Sequence, residues 1–310
     1  MRQRIVSSLV HTNNMTKLTT AMVAVVALAG AAGIFYWARG LAPSARVSKA
    51  SQPAAVSAAS INRETAGALS GTASPAKPAE PADRPAAAEP AAPLRAGEVL
   101  EFAADVAKLS NVANLRLQIV ERRNFFGKNA WHLQAFARTE NPLRMMFELD
   151  DQFDSYSDAA TLSSLQYEMH LNERGEKQES IQRMTTTGTE RAAPNATQTH
   201  VVPGTRDPLG MMQYLRTVDW SKTRHVNGPV YDGHKLYEVR GFYAGGTENV
   251  TVPAGSFAAS KIDLHVFDAG VEMEDAQFTL YLANNATRTP VLLEAVLPFA
   301  TAHVALVKMK

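Results

Sequence analysis

Apolar and polar side chains alternate along much of the chain after residue 97, and this period of two limits how that segment can fold. The apolar positions of three such runs are Leu115, Leu117 and Ile119; Tyr167, Met169 and Leu171; and Phe278, Leu280 and Leu282. Successive side chains of a β-strand point to opposite faces of a sheet, so each run predicts a strand with one buried face.

Short turn signals separate these runs. They lie at 172–175, 227–229, 244–246 and 253–255, and the last two bracket a further short run. Because tight turns join strands that are neighbours in the sheet, this spacing predicts an antiparallel meander. The stretch 188–205 lacks the alternating pattern, and we expect a loop there.

One segment indicates a helix. Asp207 is suited to cap its N-terminus, and the apolar residues that follow are Pro208, Met211, Met212 and Leu215. We therefore expect an all-β, mainly antiparallel fold, namely a curved sheet or incomplete barrel. One short amphipathic helix would lie against its concave side.

The N-terminal region indicates a membrane segment. Residues 18–37 contain no charge and are bounded by Lys17 and Arg39. About 20 such residues cross a bilayer core of ~30 Å. We predict a single-pass anchor in the inner membrane, with 1–17 as a cytoplasmic tail. Two alternatives stay open: small alanines within the segment also suit a cleaved signal peptide, and Met15 is a second candidate start.

Composition changes again after this segment. Residues 38–96 are rich in Ala and Pro, with almost no large apolar side chain. Such a stretch cannot build a core, and spaced prolines break helices, so it predicts a disordered linker. The folded domain is then expected over 97–310, in the periplasm.

Charge and composition exclude several classes of function. Lys and Arg number 31 against 30 Asp and Glu, so the chain has no excess of positive charge that would attract a nucleic-acid backbone. Without any cysteine the chain has no thiolate for catalysis or zinc, and the eight histidines show no ligand spacing. No nucleophile elbow, phosphate loop or metalloprotease motif occurs in the domain. We expect no cofactor, no metal and no enzymatic activity.

Two acidic features are candidate sites. Asp150, Asp151 and Asp154 form a cluster, but on a strand Asp151 points away from the other two, so a solvated strand end is favoured over a calcium site. For Asp207, a role as helix cap is favoured over a role as catalytic acid.

The ligand-binding candidates are apolar or cationic. Adaptable methionine side chains can line an apolar pocket, although core filling is their commoner use. The candidates are Met145, Met146, Met211, Met212 and Arg216. Arg216 lies near the helix end, where it could instead satisfy terminal carbonyls or pair with a carboxylate on the sheet.

Several short motifs occur in an order that resembles a bacterial family, domain of unknown function 3108. They are the opening Gly97–Phe102, the acidic Asp150–Ser155, D-P-L and Y-L-R of the helix at 207–216, the turn Pro253–Phe257 and the strand entry Arg288–Val291. The resemblance spans essentially all of 97–310. It implies a Gram-negative envelope location and a β-rich fold, and it implies no activity.

These observations favour a membrane-tethered periplasmic binding module that is not an enzyme. A hollow sheet interior would suit a lipid, a lipoprotein or another apolar ligand of the envelope. The alternative is a structural or scaffolding protein with a packed interior, which binds partner proteins without a small-molecule ligand. Whether the interior of the sheet is hollow or packed distinguishes these two hypotheses.

Overall fold

The computed structural model describes residues 93–186, 195–297 and 300–310, all within one compact unit of the chain. The predicted tail, the membrane segment 18–37 and nearly all of the linker lie outside the described residues. In the part of the chain that is described, no helix is both long and apolar enough to cross a bilayer.

Fourteen strands and one α-helix make up the described fold. The strands are β1 (Val99–Val106), β2 (Leu109–Phe125), β3 (Lys128–Thr139), β4 (Asp150–Asp158), β5 (Ser164–Glu173), β6 (Glu176–Thr185), β7 (Thr197–His200), β8 (His225–Tyr231), β9 (Leu236–Tyr243), β10 (Glu248–Val252), β11 (Gly255–Asp268), β12 (Val271–Ala283), β13 (Pro290–Leu297) and β14 (Ala300–Met309). The helix α1 spans Pro208–Thr217, and a single 3-10 turn covers Leu143–Met145.

All fourteen strands belong to one curved sheet, built from two meanders. Strands β1 to β6 are neighbours in chain order, and β11 to β14 are as well, with β9 and β8 continuing beyond β11. The meanders join where β1 pairs antiparallel with β14, from Leu100 opposite Met309 to Val106 opposite Ala302. The predicted antiparallel meander is confirmed, and so are the predicted strands around residues 117, 169 and 280.

One local expectation was wrong. Residues 197–200, predicted to be part of a loop, form β7, which pairs in parallel with the edge of β6. This strand has no apolar alternation because it lies at the sheet edge with mostly exposed side chains, so the pattern that reveals half-buried strands is missing.

The ladder of strands does not close, but backbone hydrogen bonds link strands near its two ends. The segment after β7 carries them: Ser164 N donates to Thr205 O at 3.0 Å, and Arg206 N donates to Pro229 O at 3.0 Å. Tyr231 N in turn donates to Arg206 O at 2.8 Å. One short stretch therefore bonds β5 on one side and β8 on the other, while the sheet itself stays open, as the predicted curved sheet or incomplete barrel requires.

A single hydrophobic cluster fills the inner side of the sheet. On β1 every second residue is buried, from Leu100 and Phe102 to Ala104 and Val106. The facing strands contribute equally buried residues, including Leu133, Phe153, Ile262, Leu280, Val291 and Leu306. Both meanders thus share one core.

The helix α1 differs from the predicted amphipathic helix that would lie on the sheet. Eight of its ten residues are buried, and these include Gly210, Gln213 and Arg216 as well as the apolar ones. A Cβ at Gly210 would lie 2.9 Å from Ser157 Oγ and 3.0 Å from Leu162 O. The helix is enclosed by its surroundings on nearly every side, because strands β3, β4 and β8 all contact it.

Candidate functional site

The first turn of α1 is fixed by a fully buried carboxylate. Asp207 caps the helix by accepting from Gly210 N at 2.8 Å. Its other oxygen accepts from Ser155 Oγ at 2.5 Å and from Ser164 Oγ. Burial raises the pKa of Asp207, and these hydrogen bonds oppose that rise. The predicted capping role is confirmed, and the two serines anchor the cap to β4 and β5.

The last turn carries a guanidinium with no exposed surface. Arg216 pairs with Glu98 through both oxygens, with Nη1 to Oε1 at 2.7 Å and Nη2 to Oε2 at 2.9 Å. Nη1 also donates to Gln213 Oε1, and Nε and Nη2 donate to Thr287 O. All five N–H donors of Arg216 are therefore satisfied inside the protein.

A second arginine completes the helix end. Arg288 Nη1 donates to Arg216 O at 3.1 Å and to Thr217 O at 3.0 Å. These are the terminal carbonyls that lack helical partners. The sequence left two structural roles open for Arg216, and the pairing with a carboxylate is the one that the structure shows. Arg288, not Arg216, caps the terminal carbonyls.

Four of the five motifs noted in the sequence therefore meet at α1, in what we call the helix seat. Its members are Glu98 of the opening motif, Ser155 of the acidic motif, Asp207 and Arg216 of the helix motif, and Arg288 of the strand entry. Each makes a buried or partly buried contact to another member or to the helix backbone. The seat is an assembly of positioned charges that holds the helix.

We expect Glu98→Gln to lower the free energy of unfolding by about 3 kcal/mol, because it leaves the Arg216 charge buried without its counter-charge. Chemical denaturation measures this. The matched control is Glu121→Gln, whose partner Arg123 is 63% exposed, and which should change stability by less than about 1 kcal/mol. Equal losses in the two variants would contradict a special role for the buried pair.

The acidic stretch is not the solvated strand end that the sequence favoured. Asp151 is 3% exposed and Asp154 is 4% exposed, on opposite faces of β4. Asp150 is half-buried and paired with Arg144 at 2.5 Å. The expected separation of Asp151 from the other two is correct. Long neighbouring side chains cover the outer face of the sheet, where Asp154 lies, and a sequence of alternating polar residues does not reveal this burial.

Asp151 is a buried carboxyl with one oxygen unused. Its Oδ1 accepts from Asn172 N at 2.8 Å, while Oδ2 has no partner in the described structure. Burial raises its pKa to about 7, and the neighbouring Glu173 and Asp150 add to the rise. The folded state therefore holds a proton that the unfolded state releases near its ordinary pKa of about 4.

The pH dependence of stability follows from the direction of this pKa shift. A raised carboxyl pKa favours folding at low pH, and the advantage is lost as pH rises from about 4 to about 7. Asp151→Asn should remove this loss and be more stable than wild type by about 2 to 4 kcal/mol at pH 8, with a smaller gain at pH 5. Denaturant titrations at both pH values test it. The exposed Glu176→Gln serves as control, and a gain that does not grow with pH would contradict the assignment.

Aromatic residues collect on the outer face of the sheet near the β2–β3 turn, and we call this group the Phe126 patch. It consists of Phe125, Phe126, His132, Tyr156 and Arg183. The His132 and Tyr156 rings stack at 4.7 Å with an interplanar angle of 8°. Phe125 and Phe126 meet Tyr156 edge-on, at 4.9 Å and 5.5 Å between centroids. The guanidinium of Arg183 lies 3.9 Å from the Phe126 ring centroid.

A polar network borders this patch. Asp154 accepts from His132 Nε2 at 2.7 Å, from Gln134 Nε2 at 2.8 Å and from Gln152 Nε2 at 2.7 Å. Burial alone would raise the pKa of Asp154, but the hydrogen bonds outweigh it and hold that pKa below its usual value. Burial, with the nearby carboxylates, raises the pKa of Tyr156 to about 12, so its hydroxyl stays protonated.

One acceptor beside the patch has no donor. Gln166 lies between Tyr156 on β4 and Arg183 on β6 in the strand register. Its Nε2 donates to Glu168 Oε1 at 2.6 Å, whereas its Oε1 is buried without a hydrogen-bond partner in the described structure. A buried carbonyl oxygen without a donor is uncommon in folded proteins.

The predicted ligand-binding residues do not form one group. Met145 and Met146 are 83% and 49% exposed, on the loop between β3 and β4. Met211 and Met212 are buried in α1, and Arg216 is committed to the helix seat. Ligand binding by these residues stays a prediction. Among the described residues, no three His, Asp or Glu side chains are placed to hold a metal ion.

The Phe126 patch was not predicted from the sequence. The signal was present in Phe125-Phe126-Gly127, where a large apolar residue, Phe126, occupies a tight turn between strands. Turns of this kind favour Asn, Asp or Gly, so a Phe is out of place there. The other members lie on β3, β4 and β6, and only the strand register brings them together.

The fold and the helix seat together define a class of protein. It is an open, mainly antiparallel β-sheet protein whose curved sheet encloses one helix, and buried ion pairs and caps hold that helix. The model of the family described as protein of unknown function (DUF3108) matches residues 102–307. The chain belongs to this family, as its motifs suggested.

Solved structures provide further similarities. A β-barrel-like protein of domain of unknown function DUF1849 from Brucella abortus is 10% identical, with a TM-score of 0.45 over 69% of this chain and 97% of that one. A "putative lipoprotein" from Parabacteroides distasonis is 12% identical, with a TM-score of 0.33 over 70% of this chain and 96% of that one. No curated protein gives a significant match.

Proposed function

We propose that this protein is a membrane-tethered binding protein of the bacterial envelope, without enzymatic activity, which engages a partner through its outer surface. Residues 18–37 would hold it in the inner membrane, and the linker would let the β-domain work at a distance in the periplasm. This is the scaffolding alternative of the two that the sequence left open.

The packing around α1 is the observation that carries the proposal. Met211 and Met212 are 4% and 8% exposed, and Leu209 and Leu215 are 3% and 2% exposed. A side chain that lines a cavity keeps accessible surface, so values this low mean that protein atoms fill the space around the helix. Ligand pockets for drug-sized molecules need about 300 Å³ or more. The helix occupies the place where an enclosed apolar ligand would be expected.

The arrangement of charged groups also favours binding over catalysis. Asp207 and Arg216 are buried ionisable residues that the sequence or the fold makes candidates for chemistry, and both have their hydrogen-bonding capacity taken up by the protein. The His132 and Asp154 pair on the outer face has two amide donors as further partners, and no serine or threonine hydroxyl accompanies His132 in its hydrogen bonds within the described residues. A serine or threonine nucleophile needs a base within hydrogen-bonding reach, so His132 is not placed to activate one.

The proposed location is testable because the natural chain has no cysteine. We expect Val271→Cys, at a 71% exposed position, to react with a membrane-impermeant maleimide in cells whose outer membrane alone is permeabilised. Ser7→Cys, in the predicted cytoplasmic tail, should react only after lysis. Labelling of Ser7→Cys in intact spheroplasts, or protection of Val271→Cys, would overturn the proposed topology.

The absence of an enclosed apolar ligand is a separate expectation. The full chain, purified in a detergent free of phospholipid, should carry no more extractable lipid per molecule than a chain of residues 1–96 alone. The shorter chain keeps the membrane segment and accounts for lipid bound around it. A stoichiometric excess on the full chain, identified by mass spectrometry of the extract, would move the proposal to a lipid carrier.

A further inference from the structure

Two adjacent methionines lie at the tip of the loop between β3 and β4. Met145 ends the 3-10 turn, and Met146 follows it. Met145 is 83% exposed and Met146 is 49% exposed. In the described part of the chain, no other large apolar residue is as exposed as Met145. Solvent and small solutes therefore reach its thioether directly.

The loop that carries this pair is anchored on both sides. The flanking residues Leu143 and Phe147 are each 3% exposed, so they hold the loop to the core. Thr139 Oγ1 donates to Phe147 O at 2.9 Å and accepts from Leu149 N at 3.0 Å. None of these contacts uses a methionine side chain. The anchoring of the loop is therefore independent of the chemical state of the two sulfur atoms.

A charged side chain holds the same loop. Arg144 Nη2 donates to Glu148 Oε1 and to Asp150 Oδ2, both at 2.5 Å. Its Nη1 donates to Thr139 O at 3.4 Å and to Leu149 O at 3.3 Å. The tip could fold back to cover Met145 only by breaking these contacts. The fold thus keeps the pair outside.

Most of the other described methionines are in the opposite environment. Those in the core are 1%, 4%, 4% and 8% exposed, and they are Met169, Met184, Met211 and Met212. The chain has 11 methionines and no cysteine, so thioethers are its only sulfur groups. Oxidants convert methionine to its sulfoxide where they can reach the sulfur atom. Exposure therefore separates a reactive pair from a protected core.

We propose that Met145 and Met146 form a reversible redox-modification site, whose thioethers a peroxide oxidises to sulfoxides. A sulfur lone pair attacks one oxygen of hydrogen peroxide, and the O–O bond breaks. The second oxygen leaves as hydroxide, takes the proton from the transferred oxygen and becomes water. Each sulfur loses two electrons, and the peroxide gains them. A methionine sulfoxide reductase reverses the change.

The modification changes the surface and leaves the fold intact. A sulfoxide is polar, so oxidation converts the apolar tip of this loop into a polar one. The same reaction at Met211 or Met212 would place a polar group in the core around α1, at a cost in stability. This inference goes beyond the proposed function and does not depend on it.

The test exposes the full chain, in peroxide-free detergent, to hydrogen peroxide and follows each methionine by mass spectrometry of its peptides. Met145 should be oxidised at least about tenfold faster than each of the four core methionines. Met146 and the 48% exposed Met309 should have intermediate rates. When the tip alone is oxidised, the melting temperature should change by less than about 2 °C.

Two variants and a reversal step complete the experiment. Met145→Leu combined with Met146→Leu keeps the apolar volume and should lose the fastest phase of oxygen uptake by the intact chain. Met309→Leu is the matched control elsewhere on the surface and should keep that phase. Methionine sulfoxide reductases for both sulfoxide epimers should restore the tip in the folded chain.

The fast, reversible and structurally silent oxidation of Met145 supports the proposal. Oxidation of a core methionine as fast as Met145 would overturn it. So would a larger fall in melting temperature with only the tip oxidised, or a sulfoxide at the tip that the reductases do not reduce. The cysteine-labelling experiment uses different positions, so either result leaves the proposed topology to be judged separately.

Discussion

A charge that is taken out of water must be neutralised where it lies, and the guanidinium of Arg216 imposes that requirement on its own helix and on two distant parts of the chain. Its contacts reach Glu98 just before β1, Gln213 within the helix and Thr287 in the loop between β12 and β13. The first belongs to one meander and the last to the other. A change in the relative position of the meanders would break some of these contacts and leave the charge exposed to an apolar interior.

The opposite end of the helix is held in a similar way by an anion. Asp207 is bonded to two serines, one on β4 and one on β5, and the residue before it, Arg206, pairs with the backbone of β8. The helix cap is therefore continuous with the stretch that is hydrogen-bonded to both β5 and β8. Hydrophobic burial supplies most of the driving force in such a core, but it is not directional. The buried polar groups determine where the helix sits.

Much of this fold could be predicted from the sequence, since alternation is a direct sign of a half-buried strand and Asp-Pro is a direct sign of a helix start. What could not be predicted depends on contacts between distant residues. The pairing of Glu98 with Arg216 spans 118 positions, and no local pattern assigns that carboxylate to that cation. The burial of Asp151 and Asp154 was missed for the same reason, because their covers come from other strands. The Phe126 patch needs the register of strands β2 to β6, which spacing alone does not provide.

The first and last strands lie side by side in the middle of the sheet, with Val99 and Lys310 exchanging backbone hydrogen bonds at 3.1 and 2.9 Å. A tether that precedes β1 would therefore pull on a central strand, bonded along both of its sides to β2 and β14. Tension along that strand loads both ladders in shear, so many hydrogen bonds share the force at once, whereas an edge strand pulled sideways would open them one after another. A pull applied at the N-terminal end of β1 would therefore meet the sheet where hydrogen bonds on both sides of one strand share the load.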